Sequence, residues 1–221
     1  MNLSEELAVF AKTMPTRRPP EQLAVMERAT RDLVASGIAE RALKEGDVAP
    51  DFALPDSVGR IVSLREKLAR GPVVLSFYRG GWCPYCNLEL RAYQRLLPQI
   101  VGLGASLVAV SPQTPDRSLS TAEKNALAFT VLSDVGLHAA GRYGIVFTLP
   151  PDLQKLYADF GNTLPVVNGD GTWRLPVPAT YVIAADGRIV LAGVDPDYRH
   201  RLDPAEVLRV LRSLCANRAA A

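Results

Sequence analysis

Two of the three cysteines in this 221-residue chain stand three apart, in Trp82-Cys83-Pro84-Tyr85-Cys86. Thiols at that spacing either cycle between dithiol and disulfide or bind a metal. A structural zinc takes four ligands, and only His138, His200 and Cys215 remain, single and far apart. Redox chemistry is therefore the expectation, with no metal. The run Pro72-Val73-Val74-Leu75-Ser76-Phe77-Tyr78 has the continuous apolar character of a strand buried on both faces. Arg79-Gly80-Gly81 follows as a flexible turn, and Pro84 suits the first position of a helix. Cys83 then becomes the N-cap and Cys86 falls in the first turn. Both sulfurs meet unpaired backbone N–H groups and the positive end of the helix dipole, an environment that lowers a thiol pKa. Arg79 adds positive charge there, and Trp82 is placed to shape the pocket wall. Residues three apart share a helix face and can be bridged. Capping geometry by itself prefers Cys83 as the nucleophile. Cys215 recurs at helical spacing with Val207, Leu208, Leu211 and Leu214, so it is expected in the core, with a remote resolving thiol as the alternative.

The elements that position this pair can be read from hydrophobic periodicity. Leu3, Leu7 and Phe10, then Leu23, Met26, Ala29 and Leu33, recur at helical spacing, with Pro19-Pro20 opening a second helix and Gly37 interrupting. Residues 1–44 are thus an expected helical extension, packed on the main domain or on a partner subunit, and residues 45–221 are the domain itself. A hairpin is expected from Phe52-Ala53-Leu54 and Ile61-Val62-Ser63 around a turn-rich connection. The strand at 72–78 is followed by a helix from Pro84 to about Leu97, then a parallel strand at 105–111. A helix near 121–127, a strand at 130–132 and a helix near 135–142 come next. Residues 143–178 are expected to be an insertion with one short helix near 151–159. A hairpin around Asp186-Gly187 and a closing helix from Pro204 to Leu214 complete the order. A hairpin, a βαβ unit, then a hairpin and helix give an α/β thioredoxin-like fold, a mixed central sheet flanked by helices.

Bulk properties narrow the function class. A net charge of +2, spread along the chain, gives no footprint for nucleic acid. No apolar stretch approaches the roughly 20 residues that span a bilayer, and Met1-Asn2-Leu3-Ser4-Glu5-Glu6 is too acidic for a leader, so a cytoplasmic location is expected. No phosphate-cradling glycine loop occurs, and no cofactor is expected. The stretch Asp195-Pro196-Asp197-Tyr198-Arg199-His200-Arg201 is expected to be a solvated, mutually paired loop, with His200 its candidate for approaching the redox pair.

Several separated motifs resemble one family. Gly46-Asp47-x-Ala49-Pro50-Asp51-Phe52-x-Leu54, then Gly59-x-x-Val62-Ser63-Leu64, then Phe77-Tyr78 and Cys86-Asn87-Leu88-Glu89 are similar to peroxiredoxins of the alkyl hydroperoxide reductase/thiol-specific antioxidant family. The resemblance spans about residues 45–215. It implies a thiol peroxidase in which Cys86 attacks the peroxide, Cys83 resolves the sulfenic acid, and thioredoxin or a similar dithiol restores the pair. Glu89 either holds a backbone or arginine contact or is an ordinary exposed helix residue. The family's proline stands where this chain has Arg79, and its threonine or serine where this chain has Cys83. Its arginine before the strand at 179–183 is replaced by Pro178, which resembles the cis-proline facing the Cys-x-x-Cys pair of thioredoxins. Arg79 or Arg142 is then expected to polarise the peroxide. A homodimer is expected. Two other functions stay open: a disulfide reductase with Cys83 as nucleophile and Pro178 toward the substrate, and a non-enzymatic redox sensor.

Overall fold

The computed structural model describes residues 2–219. Four helices come first: α1 (Leu3–Lys12), α2 (Met14–Arg17), α3 (Pro20–Ala35) and α4 (Ile38–Arg41). Asn2 caps α1 in a reciprocal box with Glu5, Pro20 opens α3, and Gly37 at φ +70° starts α4. After them come β1 (Ala53–Pro55), β2 (Ile61–Ser63), α5 (Leu64–Leu68), β3 (Val73–Phe77), α6 (Pro84–Gly102), β4 (Ser106–Ser111), α7 (Pro115–Lys124) and β5 (Thr130–Ser133). The chain continues with α8 (His138–Arg142), β6 (Val146–Thr148), α9 (Pro151–Asp159), α10 (Leu164–Val167), β7 (Arg174–Pro176), β8 (Ala179–Ile183), β9 (Ile189–Val194) and α11 (Pro204–Ala219).

A five-stranded sheet in the order β5-β4-β3-β8-β9 forms the centre. Strands β3, β4 and β5 run parallel, while β8 and β9 are antiparallel to their neighbours. This is the mixed sheet of a thioredoxin-like fold. Val73, Leu75 and Phe77 enter one core with Tyr143, Ile145 and Tyr181, whereas Val74 faces Tyr93, Val182, Val207 and Leu211 in another. That alternation is the two-residue period of a strand buried on both faces. Phe77 pairs with Ala179, so Pro178 is delivered beside the end of β3, where the redox turn begins.

Several expected boundaries move. Helix α6 continues past Pro98 to Gly102, because Ile100 is fully buried on the next turn and packing outweighs the lost backbone bond. Helix α7 starts at Pro115 rather than near 121, with the proline in its first turn. Residues 143–178 are no single-helix insertion. Strands β6 and β7 pair antiparallel across them, with α9 and α10 between, and three-residue strands carry too short an alternation to read. Cys215 is exposed instead of buried, one turn beyond Leu211 of α11, which is buried at 1% exposure.

The first four helices pack on their own chain. Leu3 and Leu7 of α1 sit in one cluster with Tyr78, Cys83, Tyr85, Cys86 and Leu90, each leucine contributing roughly 1.5–3 kcal/mol by burial. Helix α3 lies on α9, and Arg28 pairs with Asp152 at 2.5 Å. The segment after α4 is tied down where the Leu43 N–H donates to the Tyr143 carbonyl at 3.1 Å. Gly144, at φ +73°, lies so close that a Cβ there would meet the Arg41 carbonyl oxygen at 2.7 Å. Gly144→Ala is expected to lower stability by about 1–3 kcal/mol, read as a lower urea midpoint, with no change in the reactivity of the thiols once the protein is folded.

Candidate redox site

The site is assembled where β3 hands over to α6. Cys83 is the N-cap of α6 in extended conformation, with Pro84 next, and its carbonyl accepts from Asn87 N–H at 3.1 Å. The turn before it is held on both sides. Gln113 Oε1 accepts from Gly81 N–H at 2.7 Å, and Asn87 Nδ2 donates to the Gly81 carbonyl at 2.8 Å. Asn125 in turn donates to Asn87 at 3.0 Å and accepts from Arg91 at 2.9 Å. A Cβ on Gly81 would lie 2.2 Å from Thr121 Oγ1, so only glycine lets the turn approach α7 this closely. Gln113, Asn87 and Asn125 form the support that sequence reasoning missed. Asn87 stands within Cys86-Asn87-Leu88-Glu89, but nothing local in the sequence shows that it braces the turn.

Both sulfurs are buried, Cys83 at 2% exposure and Cys86 at 0%. Arg79 is buried with them, its guanidinium among Trp82, Tyr157 and Tyr198, with Cζ 5.1, 5.6 and 4.4 Å from the ring centres. It donates to the Tyr157 hydroxyl, and its Nε is buried with no partner among the described residues. Trp82 packs edge-on against Tyr157 at 5.4 Å and lines the cavity beside Cys83.

A second arginine reaches the sulfurs from the connection between β9 and α11. Arg201 Nη2 donates to Cys86 Sγ at 3.3 Å, and its Nε donates to Glu89 Oε2 at 2.5 Å. The side chains of Arg201 and Glu89 are 2% and 1% exposed. Glu89 also accepts from Thr180 Oγ1 at 3.3 Å. The stretch 195–201 is therefore only partly the solvated loop expected of it. His200 does stand outward on Asp195, at 3.0 Å, but Arg201 turns inward to the redox pair. Glu89 is no exposed helix residue. Arg142 is elsewhere, donating to the Asp51 carbonyl. Pro178 immediately precedes β8, beside the end of β3, and its peptide bond is trans, since the described residues contain no cis peptide.

Charge decides the state of the thiols. Burial alone pushes both up. For Cys83, the hydrogen bond from Cys86, the Arg79 and Arg201 charges, and the Cys86 backbone N–H outweigh burial and bring it down to about 6. Cys86 goes well up, by burial and by giving its hydrogen bond to Cys83, which the two arginines oppose only in part. The pair is thus asymmetric, with ionisation favoured on Cys83 over Cys86, while the side-chain hydrogen bond that reaches a sulfur is the one from Arg201 to Cys86. Burial likewise raises Glu89 to about 7 against the pull of Arg201.

The sequence profile of the AhpC/TSA family matches residues 46–192. The chain belongs to that family. Chloroplastic peroxiredoxin Q of Oryza sativa subsp. japonica is 28% identical over 211 residues, covering 94% of this chain and 81% of the rice protein. A putative peroxiredoxin of Mycobacterium tuberculosis is 30% identical over 153 residues, covering 68% of this chain and 84% of that one. Among solved structures, peroxidoxin BcpB from Mycobacterium tuberculosis superposes with a TM-score of 0.62 at 25% identity, over 77% of this chain and 97% of BcpB. As a member of the AhpC/TSA family the chain is a peroxiredoxin-like, thiol-dependent peroxidase.

Because the Cys83 thiol ionises near 6 in the folded protein, its thiolate is present above that pH and is lost as pH falls through it. Alkylation of the reduced protein by iodoacetamide should show a midpoint near pH 6 on Cys83. Arg79→Met should move it toward the ordinary cysteine value of about 8.5. A midpoint already at the ordinary value in the unaltered protein would refute the charge assignment.

Proposed function

We propose that Cys83 is the sulfur that attacks the peroxide and that Cys86 resolves it. The observation that carries this is the placement of Cys83, which lines a cavity of about 450 Å³ together with Arg79 and Trp82, whereas Cys86 lies beneath it with no exposed surface. The sulfur facing the cavity is also the one whose ionisation the two arginines favour, and the thiolate is the nucleophile.

The Cys83 thiolate takes the outer oxygen of the hydroperoxide, the O–O bond breaks, and an alkoxide or hydroxide leaves. The neighbouring Cys86 S–H gives that anion its proton. The resulting Cys86 thiolate then attacks the Cys83 sulfenic acid, forming the disulfide and releasing hydroxide, which solvent protonates. A dithiol reductant returns the pair to one thiolate and one thiol by exchange, becoming a disulfide itself. Thioredoxin is the proposed reductant. A cytoplasmic setting and a homodimer belong to the same proposal, the first supported by the sparing use of cysteine.

A second assignment has its own support. Arg201 touches Cys86 at 3.3 Å, and the resemblance to peroxiredoxins implies Cys86 as the attacker. Dimedone trapping after one equivalent of peroxide separates the two. Label on Cys83 in Cys86→Ser, with none on Cys86 in Cys83→Ser, supports attack by Cys83, and the reverse pattern transfers the role to Cys86. NADPH consumption coupled through thioredoxin reductase and thioredoxin measures turnover. Fast insulin reduction with no peroxide-dependent NADPH loss would instead make the chain a disulfide reductase, and slow stoichiometric oxidation without turnover a sensor.

A further inference from the structure

The cavity that Cys83 lines is closed on its outer side by the helical extension, through Phe10 of α1, Met14 and Arg17 of α2, and Arg18 just after it. These residues lie outside the match to the family profile. Three arginines line the cavity, Arg17, Arg18 and Arg79, and no carboxylate does. Arg17 and Arg18 stand over the faces of Phe10 and Phe160, with Cζ 5.4 and 3.6 Å from the ring centres, and both rings are walls of the same cavity. Elsewhere at the junction of the extension with the domain the arginines are answered: Arg28 pairs with Asp152, and Arg199 with Glu27 and Asp197. Among the described residues neither Arg17 nor Arg18 has a carboxylate partner. A cavity of about 450 Å³ with two unanswered cations toward solvent and a sulfur inside suits a small molecule that carries negative charge.

Reduction of the oxidised pair needs a sulfur brought directly against Cys83. Cys83 is 2% exposed and packed with Leu3 and Leu7 of α1. A protein dithiol reaches it only when α1 and α2 move aside, whereas a small thiol reaches it through the cavity. Resting on the disulfide cycle proposed above, we propose that this cavity binds a small thiol bearing carboxylates, a second reductant whose carboxylates are held by Arg17 and Arg18. Each small thiol first loses its proton to solvent. The first thiolate attacks Cys83 Sγ, the S–S bond breaks, and Cys86 leaves as thiolate and takes a proton back. The second thiolate attacks the small thiol's sulfur in the mixed disulfide, releasing Cys83 as thiolate and a disulfide of the two small molecules. The cysteine pair gains two electrons and the two small thiols lose them. Access sets the point of attack, because Cys86 has no exposed surface.

Oxidation with diamide in a Cys215→Ser background, which removes the exposed third thiol, tests this apart from any peroxide. Reduction of the Cys83–Cys86 disulfide is followed by mass after alkylation of the freed thiols. Each reductant's rate is divided by its own rate on 2-hydroxyethyl disulfide, at constant ionic strength. On that scale mercaptosuccinate should exceed 2-mercaptoethanol by about tenfold or more. Arg17→Ala/Arg18→Ala should remove most of the advantage and leave 2-mercaptoethanol within about twofold. Binding is read separately with 2-(methylthio)succinate, which cannot reduce a disulfide. It should slow reduction by 2-mercaptoethanol in the Cys215→Ser protein and not when Arg17 and Arg18 are also alanine. Equal relative rates for the two thiols, an equal loss for both in the double variant, or no inhibition by the methylated compound overturns the proposal. Should diamide leave both thiols free, the disulfide cycle fails and the proposal with it. Where the disulfide forms and peroxide is turned over but mercaptosuccinate has no advantage, the thiol site alone is lost. A preference that depends on the two arginines, in a protein that consumes no peroxide, removes the peroxidase reading and keeps the site.

Discussion

Two guanidinium groups and a single carboxylate are buried around the sulfurs of Cys83 and Cys86. Arg201 is matched by Glu89 at 2.5 Å, but Arg79 is held only by aromatic faces and a tyrosine hydroxyl. A lone buried cation is costly unless an anion answers it. The group able to answer is a thiolate, and Cys83, at the positive end of the α6 dipole, is where the arginine charges favour one. Charge balance therefore ties the ionisation of Cys83 to the integrity of the whole site. The same balance explains why the neighbouring sulfur stays protonated, since a second negative charge in this space would have only the partly opposed pull of the same two arginines.

The rest of the fold reads as the means of bringing these charges together. Strand β3 carries Arg79 at its end and lies at the centre of the sheet, so the turn that follows has a rigid origin. Strand β8, antiparallel beside it, sets Thr180 against Glu89, and the connection after β9 returns Arg201 to the same place. Helices α1 and α3 close the outer side, α1 by packing Leu3 and Leu7 into the cluster that contains both cysteines. Protecting the sulfurs and shaping what reaches them are thus tasks shared between the family's domain and the helices in front of it.

The strand, turn and helix that present the Cys-x-x-Cys pair were legible because each signal is local: an apolar run, two glycines, a proline at a first turn. The β3–β4 parallel pairing and the Asp186-Gly187 hairpin were legible for the same reason. What was not legible depends on contacts across long separations. Arg201 sits in a charged stretch that resembles any solvated loop, and only the path of β9 turns its guanidinium inward. Glu89 offered two equal readings until its partner was known. Cys215 misled because a helical stripe of Val207, Leu208 and Leu211 ends one turn before it, and periodicity does not say where a stripe stops facing the core. The β6–β7 pair escaped because each strand is three residues long.

The ion pair that steadies the site joins residues 112 positions apart, and the contact of Arg201 with Cys86 spans 115. Contacts of such separation are among the slower ones for a chain to form. A chain that has made its early helices and β3 has Arg79 near the redox turn but not yet Arg201. The second charge on the sulfurs arrives only when the segment after β9 has docked. The fold thereby defers part of the pair's activation until the pocket around it is closed.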